Sequence, residues 1–244
     1  MEVLEQLLNQ LAYDEPVTAL HLGGHLLAVQ SRKVGLAANL CRLDKSTLAQ
    51  VQQKLADFVG RSAREVASLV LDNDLLLAGL GMAALNSLLT APLTGPRKVN
   101  AKDIIAAEAA GRDLVFVGHF PFVNSFRPLV RQMWVMEKNP LPGDLTEEEG
   151  YRVLGRADVV AMSGSCLINH TFTRIMSCCK PESFKIMLGP STPLTSMLLD
   201  FGLQAVCGSL VEDGPGVMSQ VAAGVPFRGL KGIRTLALTS NSGR

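Results

Sequence analysis

The pattern of apolar and polar positions changes character near residue 90, so the chain reads as two unlike halves. The first half opens with a short helix and continues in three strand-like runs, PVTALHL, HLLAVQS and KVGLAAN. Gly23–Gly24 between the first two is a hairpin signal. Residues 46–59 place Leu48, Val51, Leu55 and Phe58 on one helical face, with Gly60 where a C-cap belongs. Ser62 and Glu65 have the spacing of a capping box for the helix that follows. Residues 75–89, LLLAGLGMAALNSLL, are apolar all round, which predicts a helix buried on every side, and Asn86 is its main polar interruption. That amide either bonds a neighbouring backbone or faces a crevice from the first half.

Between Thr90 and Asn100 the text becomes TAPLTGPRKVN, with two prolines, a glycine and no periodicity. This is a linker, and it divides the chain into a domain of residues 1–92 and a domain of residues 93–244. The second half has a different rhythm. A helix over 101–110 leads into the strand DLVFVG, and MWVME ends at Glu137. DVVAMSG ends at Ser163–Gly164–Ser165, FKIMLG runs into Pro190–Ser191, and QAVCGS ends at Gly208–Ser209. Helical stretches over residues 123–132, 146–156, 166–178, 194–201 and 214–223 separate them. Near-continuous apolar strands alternating with helices predict an α/β fold whose doubly wound parallel sheet is covered on both faces.

Composition narrows the function classes. A formal net charge of +1, 18% charged residues and no basic cluster interleaved with aromatics argue against nucleic acid as a partner. Arg228, Lys231 and Arg234 read as a solvated edge. The N-terminal MEVLEQLLNQLAYDEP lacks the basic leader of a secretory signal, and residues 75–89 fall short of the roughly 20 apolar residues a bilayer needs. A cytoplasmic protein without a membrane partner is expected. The five cysteines form no CxxC pair and suit reduced thiols, with Cys178–Cys179 as small residues ending a helix. No stripe of residues specifies homo-oligomerisation, which general symmetry arguments allow.

In doubly wound sheets ligands bind at the carboxyl ends of the strands, near the point where strand order reverses. The residues expected there are Gly118–His119, Glu137, Ser163–Gly164–Ser165, Gly189–Pro190–Ser191 and Gly208–Ser209. Glycines admit a ligand to the backbone, and hydroxyls beside helix N-termini make an anion- or carbonyl-binding surface. His119 is delivered to the rim of that crevice, where it is either a ligand or a hydrogen-bonded structural histidine, with Phe120 and Pro121 fixing its backbone. Glu137 has the position of a ribose-binding acid, but GHFPFV is not GxGxxG, so ribose of another nucleotide, metal coordination and plain exposure stay open. SGSCLINHT puts Asn169 and Thr171 on the next helix, with Ser165 as a candidate cap; Ala161 removes the GxSxG pattern of a serine hydrolase. Cys166 and His170 have the i, i+4 spacing that can grip a metal, without further ligands nearby in sequence.

The motifs VGHFPFV, VMEKNPLPGD, ADVVAMSGSCLIN and MLGPSTPL, in that order, resemble a prokaryotic family of uncharacterised proteins. Its Rossmann-like C-terminal half carries the name "putative heavy-metal chelation domain", and its first half resembles the small α+β N-terminal domain of enolases; KVGLAAN and GMAALNSLL match there. The resemblance implies that the two domains meet in a cleft. Its matching positions are Asn86, Gly118, His119, Phe120, Glu137, Ser163, Gly164, Ser165, Asn169, Thr171, Gly189, Pro190 and Ser191. Ser163 and Cys166 depart from a pattern that more often shows threonines, and His170 belongs to none of the motifs.

Two expectations follow. The first is binding or handling of a metal, metal chelate or small anionic ligand in the interdomain cleft, with His119 and Glu137 as ligands to a divalent transition metal. The second is an enzyme acting on a nucleotide-like or S-adenosylmethionine-like molecule, with His119 and Glu137 as the catalytic proton-transfer pair. A cleft that is vestigial or serves a protein partner is the third.

Overall fold

The structure, a computed structural model, describes residues 2–41, 43–90 and 100–240. In the first half, helix α1 (Glu2–Asn9) turns Val3, Leu4 and Leu7 inward. Strands β1 (Ala19–Leu22), β2 (Leu26–Gln30) and β3 (Val34–Ala38) form an antiparallel sheet in that order, with the β1–β2 turn at the predicted glycines. Helix α2 (Lys45–Leu55) is capped by Asp44, whose carboxylate accepts from the Thr47 amide at 2.9 Å, and continues as a 3-10 turn over Ala56–Phe58. Helix α3 (Ala63–Ser68) has only half the predicted capping box. The Ser62 hydroxyl accepts from the Glu65 amide, while the Glu65 carboxylate pairs with Arg61 at 3.3 Å. Helix α4 (Leu75–Leu88) is buried along most of its length, as its uniform apolarity predicts. It lies directly on β3: a Cβ on Gly35 would stand 2.1 Å from the Ala83 carbonyl oxygen, so only glycine permits this approach.

In the second half, α5 (Ala101–Ala109) precedes β4 (Asp113–Val117) and β5 (Gln132–Met136). Helix α6 (Glu147–Leu154) starts with a complete capping box, Thr146 with Glu149, and leads to β6 (Val159–Ser163). Helices α7 (Ser165–Ile168) and α8 (Phe172–Cys178) precede β7 (Phe184–Leu188). Then come α9 (Met197–Asp200), β8 (Ala205–Val211), α10 (Gly214–Ala222) and β9 (Ile233–Thr239). The sheet order is β5-β4-β6-β7-β8-β9, parallel except for β9. Alternate residues of its strands enter two separate apolar clusters, so both faces are buried: Val115 and Val160 on one, Leu114 and Ala161 on the other.

Three sequence expectations are corrected. The helix expected over 123–132 is a 3-10 turn, Val123–Phe126, because Phe116, Phe120, Phe122 and Phe126 gather ring against ring, and the backbone follows that cluster and Pro128. The helix expected over 166–178 breaks at Asn169–His170, where the Asn169 side chain accepts from the Thr171 amide and hydroxyl and His170 takes a φ of 59°. The helix expected over 194–201 shortens to α9. The predicted boundary between residues 92 and 93 falls outside the described residues.

Helix α10, late in the chain, packs on the first-half sheet, where Val217, Met218 and Val221 join Leu26, Ala28, Val34 and Leu36. The larger core cluster likewise runs from Leu4 and Leu80 in the first half to Val160 and Val206 in the second.

Candidate functional site

β4 pairs with β5 on one side and β6 on the other, so the order of the sheet reverses between β4 and β6. A crevice opens outside the carboxyl ends of strands at such a point. Here a cavity of about 760 Å³ lies at that place. Its walls include Gly118, His119, Glu137, Ser163, Ser165, Asn169 and Thr171 from the second half, and His25, Asn39, Cys41 and Asp44 from the first.

His119 leaves β4 through Gly118, whose φ of 107° no side-chain-bearing residue adopts without strain. Its amide donates to Glu137 Oε1 at 3.2 Å, while Glu137 Oε2 accepts from the Lys138 amide at 2.8 Å. The Glu137 carboxylate therefore ties the end of β5 to the end of β4, and each oxygen keeps a lone pair for a further partner. His119 Nδ1 lies 3.1 Å from Asp144 Oδ2, which also accepts from the Leu141 amide at 3.1 Å. The Asp144 side chain is 5% exposed and that of His119 33%. An ionised carboxylate only accepts, so Nδ1 carries the proton, and Nε2 is left without a hydrogen-bond partner among the described residues. A buried carboxylate behind one ring nitrogen is the arrangement that orients metal-binding histidines.

The cavity floor is made of paired polar groups. Ser165 Oγ and Ser163 Oγ are 2.7 Å apart, and the Ser165 amide points at Ser163 Oγ, not at a cap formed by Ser165 itself. Asn169 Oδ1 takes the Thr171 amide and hydroxyl, and the amide nitrogen of Asn169 has no hydrogen-bond partner among the described residues. The lining residues include three acids, Asp44, Glu137 and Glu147, and one lysine, Lys138.

Other expected residues lie elsewhere. Asn86 and Pro190 border a separate void of about 30 Å³. The Asn86 amide donates to the Leu36 carbonyl at 2.9 Å within the first half and reaches the Ser191 carbonyl at 3.5 Å, and Ser191 Oγ accepts from the Ala38 amide at 2.8 Å, so Asn86 and Ser191 serve the contact between the halves. Gly164 and Gly189 stand behind the cavity wall, the Gly164 amide bonding the Leu188 carbonyl at 2.9 Å. The Phe120 ring packs in the aromatic cluster, 5.8 Å from Phe116. Cys166 and His170 are no metal pair: burial pushes the Cys166 thiol up, and His170 Nε2 meets the Val70 carbonyl at 2.9 Å. Among the described residues no three His, Cys, Asp or Glu side chains are close enough to hold one ion. No helix of the described residues is long and apolar enough to cross a membrane. The sequence reading missed Asp144, whose only local signal is the turn PLPGD, and it missed His25 and Cys41, which nothing near them in sequence distinguishes.

Two family models match the chain, one over residues 100–239 and one over residues 4–89, and both carry the description "putative heavy-metal chelation". An uncharacterised protein of Methanocaldococcus jannaschii is 27% identical over 166 residues, covering 64% of this chain. The match spans 62% of that relative, less than two thirds of its length. A crystal structure of a protein with unknown function from Desulfitobacterium hafniense resembles the chain with a TM-score of 0.83 and 22% identity, covering 98% of this chain and 97% of that one. Another, from Pyrococcus horikoshii, gives 0.78 at 16% identity, covering 98% of each. At these identities the two likenesses show the fold.

Proposed function

This chain belongs to the family described as "putative heavy-metal chelation", and from that premise we propose that the cavity between its two halves holds a divalent transition metal delivered as a small chelate. The observation that carries this reading is the Asp144–His119 pair, a ring nitrogen backed by a buried carboxylate with Nε2 free on a residue that lines the cavity. Imidazole nitrogen suits zinc, nickel or iron. Because no three protein donors converge, the metal must bring ligands of its own, and about 760 Å³ leaves room for them. The Ser163–Ser165 pair and the unpartnered Asn169 amide nitrogen are then donors to the chelator's oxygens, and Glu137 adds negative charge near the cation. The three antiparallel strands with packed helices also support an enolase-type N-terminal fold for residues 1–92.

Calorimetry with nickel, supplied free and as its citrate complex, tests this. Saturable binding that His119→Ala abolishes is expected; no saturable binding in either form, or wild-type behaviour of the variant, overturns it. A second reading, an enzyme on a nucleotide-like substrate, is favoured by Glu137 alone, which ends the strand beside the switch point as ribose-binding acids do. Stabilisation by nucleotides or S-adenosylmethionine in a thermal-shift measurement, without any by metals, would put that reading first.

A further inference from the structure

Helix α7 ends in a turn that ordinarily takes glycine. The Thr171 amide donates back to the Cys166 carbonyl at 2.9 Å and the His170 amide to the Leu167 carbonyl at 3.4 Å. This two-bond closure requires a left-handed residue just past the helix end. His170, at a φ of 59°, is that residue, and among the described residues it alone carries a side chain at positive φ. Glycine is the usual choice because a Cβ strains the left-handed backbone. A histidine persists there only where its surroundings hold it.

That hold comes from the other half of the chain. His170 Nε2 lies 2.9 Å from the Val70 carbonyl, and since a carbonyl only accepts, Nε2 carries the proton and donates. Val70 is fully buried in the first-half 3-10 turn Leu69–Leu71. This turn has no room to shift: a Cβ on Gly81 would collide with the Val70 amide nitrogen, so α4 presses directly against it. The anchor is rigid, and the strained turn is fastened to it across the two halves. On either side of His170 in sequence stand Asn169 and Thr171, and both line the cavity, whereas His170 does not. Asn169 Oδ1 is taken by the Thr171 hydroxyl at 2.6 Å and amide at 3.3 Å, which leaves the Asn169 amide nitrogen unpartnered among the described residues.

Resting on the metal-chelate reading above, we propose that His170 is a positioning residue: its ring, fastened to Val70 of the first half, sets the Asn169–Thr171 turn of the second half at the cavity, where the Asn169 amide donates to an oxygen of the chelator. His170 touches no ligand and acts through Asn169. Its effect falls on the chelator and not on the metal, because the metal donor His119 leaves a different strand end and is held by Asp144.

His170→Gly tests this, because glycine keeps the left-handed turn without strain while the ring is removed. In calorimetry on the full-length variant, nickel citrate is expected to bind about five- to tenfold more weakly than to the wild type, the size of one lost hydrogen bond, with free nickel bound unchanged. A general loss of stability weakens both forms alike, so the selective loss is what reports positioning. In an Asn169→Ala background the same substitution is expected to change nickel citrate affinity by less than about twofold, and where only the citrate complex binds this double variant decides. Wild-type affinity of His170→Gly for nickel citrate, equal weakening of both forms, or full additivity with Asn169→Ala overturns the proposal. Binding of neither form by the wild type overturns the metal-chelate reading, and the crystal structure of His170→Gly then decides the positioning role alone. A displaced Asn169 side chain is expected there, and one that superimposes on the wild type overturns it.

Discussion

At the scale of single residues, Asp144 is the side chain on which the imidazole depends. It meets the Leu141 amide and His119 Nδ1 with one oxygen, so it shapes its own loop and sets the tautomer of the ring together. Replacing it by alanine frees the imidazole to rotate and to exchange tautomers. Asp144→Ala is expected to weaken metal binding about 10- to 100-fold, the usual effect of removing a partner that orients a ligand. Calorimetry reads that loss, and unchanged far-UV circular dichroism separates it from unfolding. Unaltered affinity would mean that the ring is held in place by other contacts. His119 and Glu137 were legible as candidates because strand ends in a doubly wound sheet are where chemistry collects. Asp144 was not, since its role rests on a turn that folds a sequence-distant carboxylate back onto β4.

At the scale of elements, the opposite ends of the same strands carry an ion-pair network that takes no part in the site. Arg131 meets Asp113 at 2.7 Å and Asp158 at 3.4 Å, and Lys180 meets Asp158 at 2.7 Å, joining the starts of β4, β5 and β6. The hydrogen bond from Arg131 holds the Asp113 carboxyl below its ordinary range. The Asp113 backbone amide, then Lys180, does the same for Asp158. A carboxyl whose folded pKa is depressed adds stability that is fully present above its unfolded pKa, about 3.9, and is lost as pH falls through the folded value. The urea midpoint of the wild type should therefore fall more steeply below about pH 4 than that of Asp158→Asn, because the variant has already given up this contribution. Parallel pH dependences would show that the pairs are screened into irrelevance. Elements themselves were largely visible in the periodicity, most clearly the strands and α4. The exceptions share one cause: at Phe116–Phe126 and at Asn169–Thr171 a side-chain contact, aromatic in one case and amide in the other, overrode a helical pattern.

At the scale of the molecule, the two halves are knitted by several separate contacts. α10 covers the first-half sheet, His170 bonds the Val70 carbonyl, Ser191 bonds the Ala38 amide, and Thr195 donates to Gln10 at 3.0 Å. A core that runs through both halves should unfold as one unit. Trp134, the single tryptophan, lies on β5 in the second half, so its fluorescence and the far-UV circular dichroism should trace the same urea transition. A dichroism change that the tryptophan does not follow would show the first half melting alone. Apolar periodicity determined the helices and strands of both halves, since each element must bury one face or all of them wherever it sits. Strand-end composition further marked the edge of the sheet where a ligand belongs. Only tertiary structure decided which of those residues share a cavity: it drew His25 and Cys41 in, set Asp144 behind His119, and turned Asn86, Phe120, Pro190 and Ser191 to packing. The reason is physical. Burial is a property of a residue's own segment and leaves a local pattern, whereas a site is a convergence of loops whose mutual distances are set by how separate elements pack.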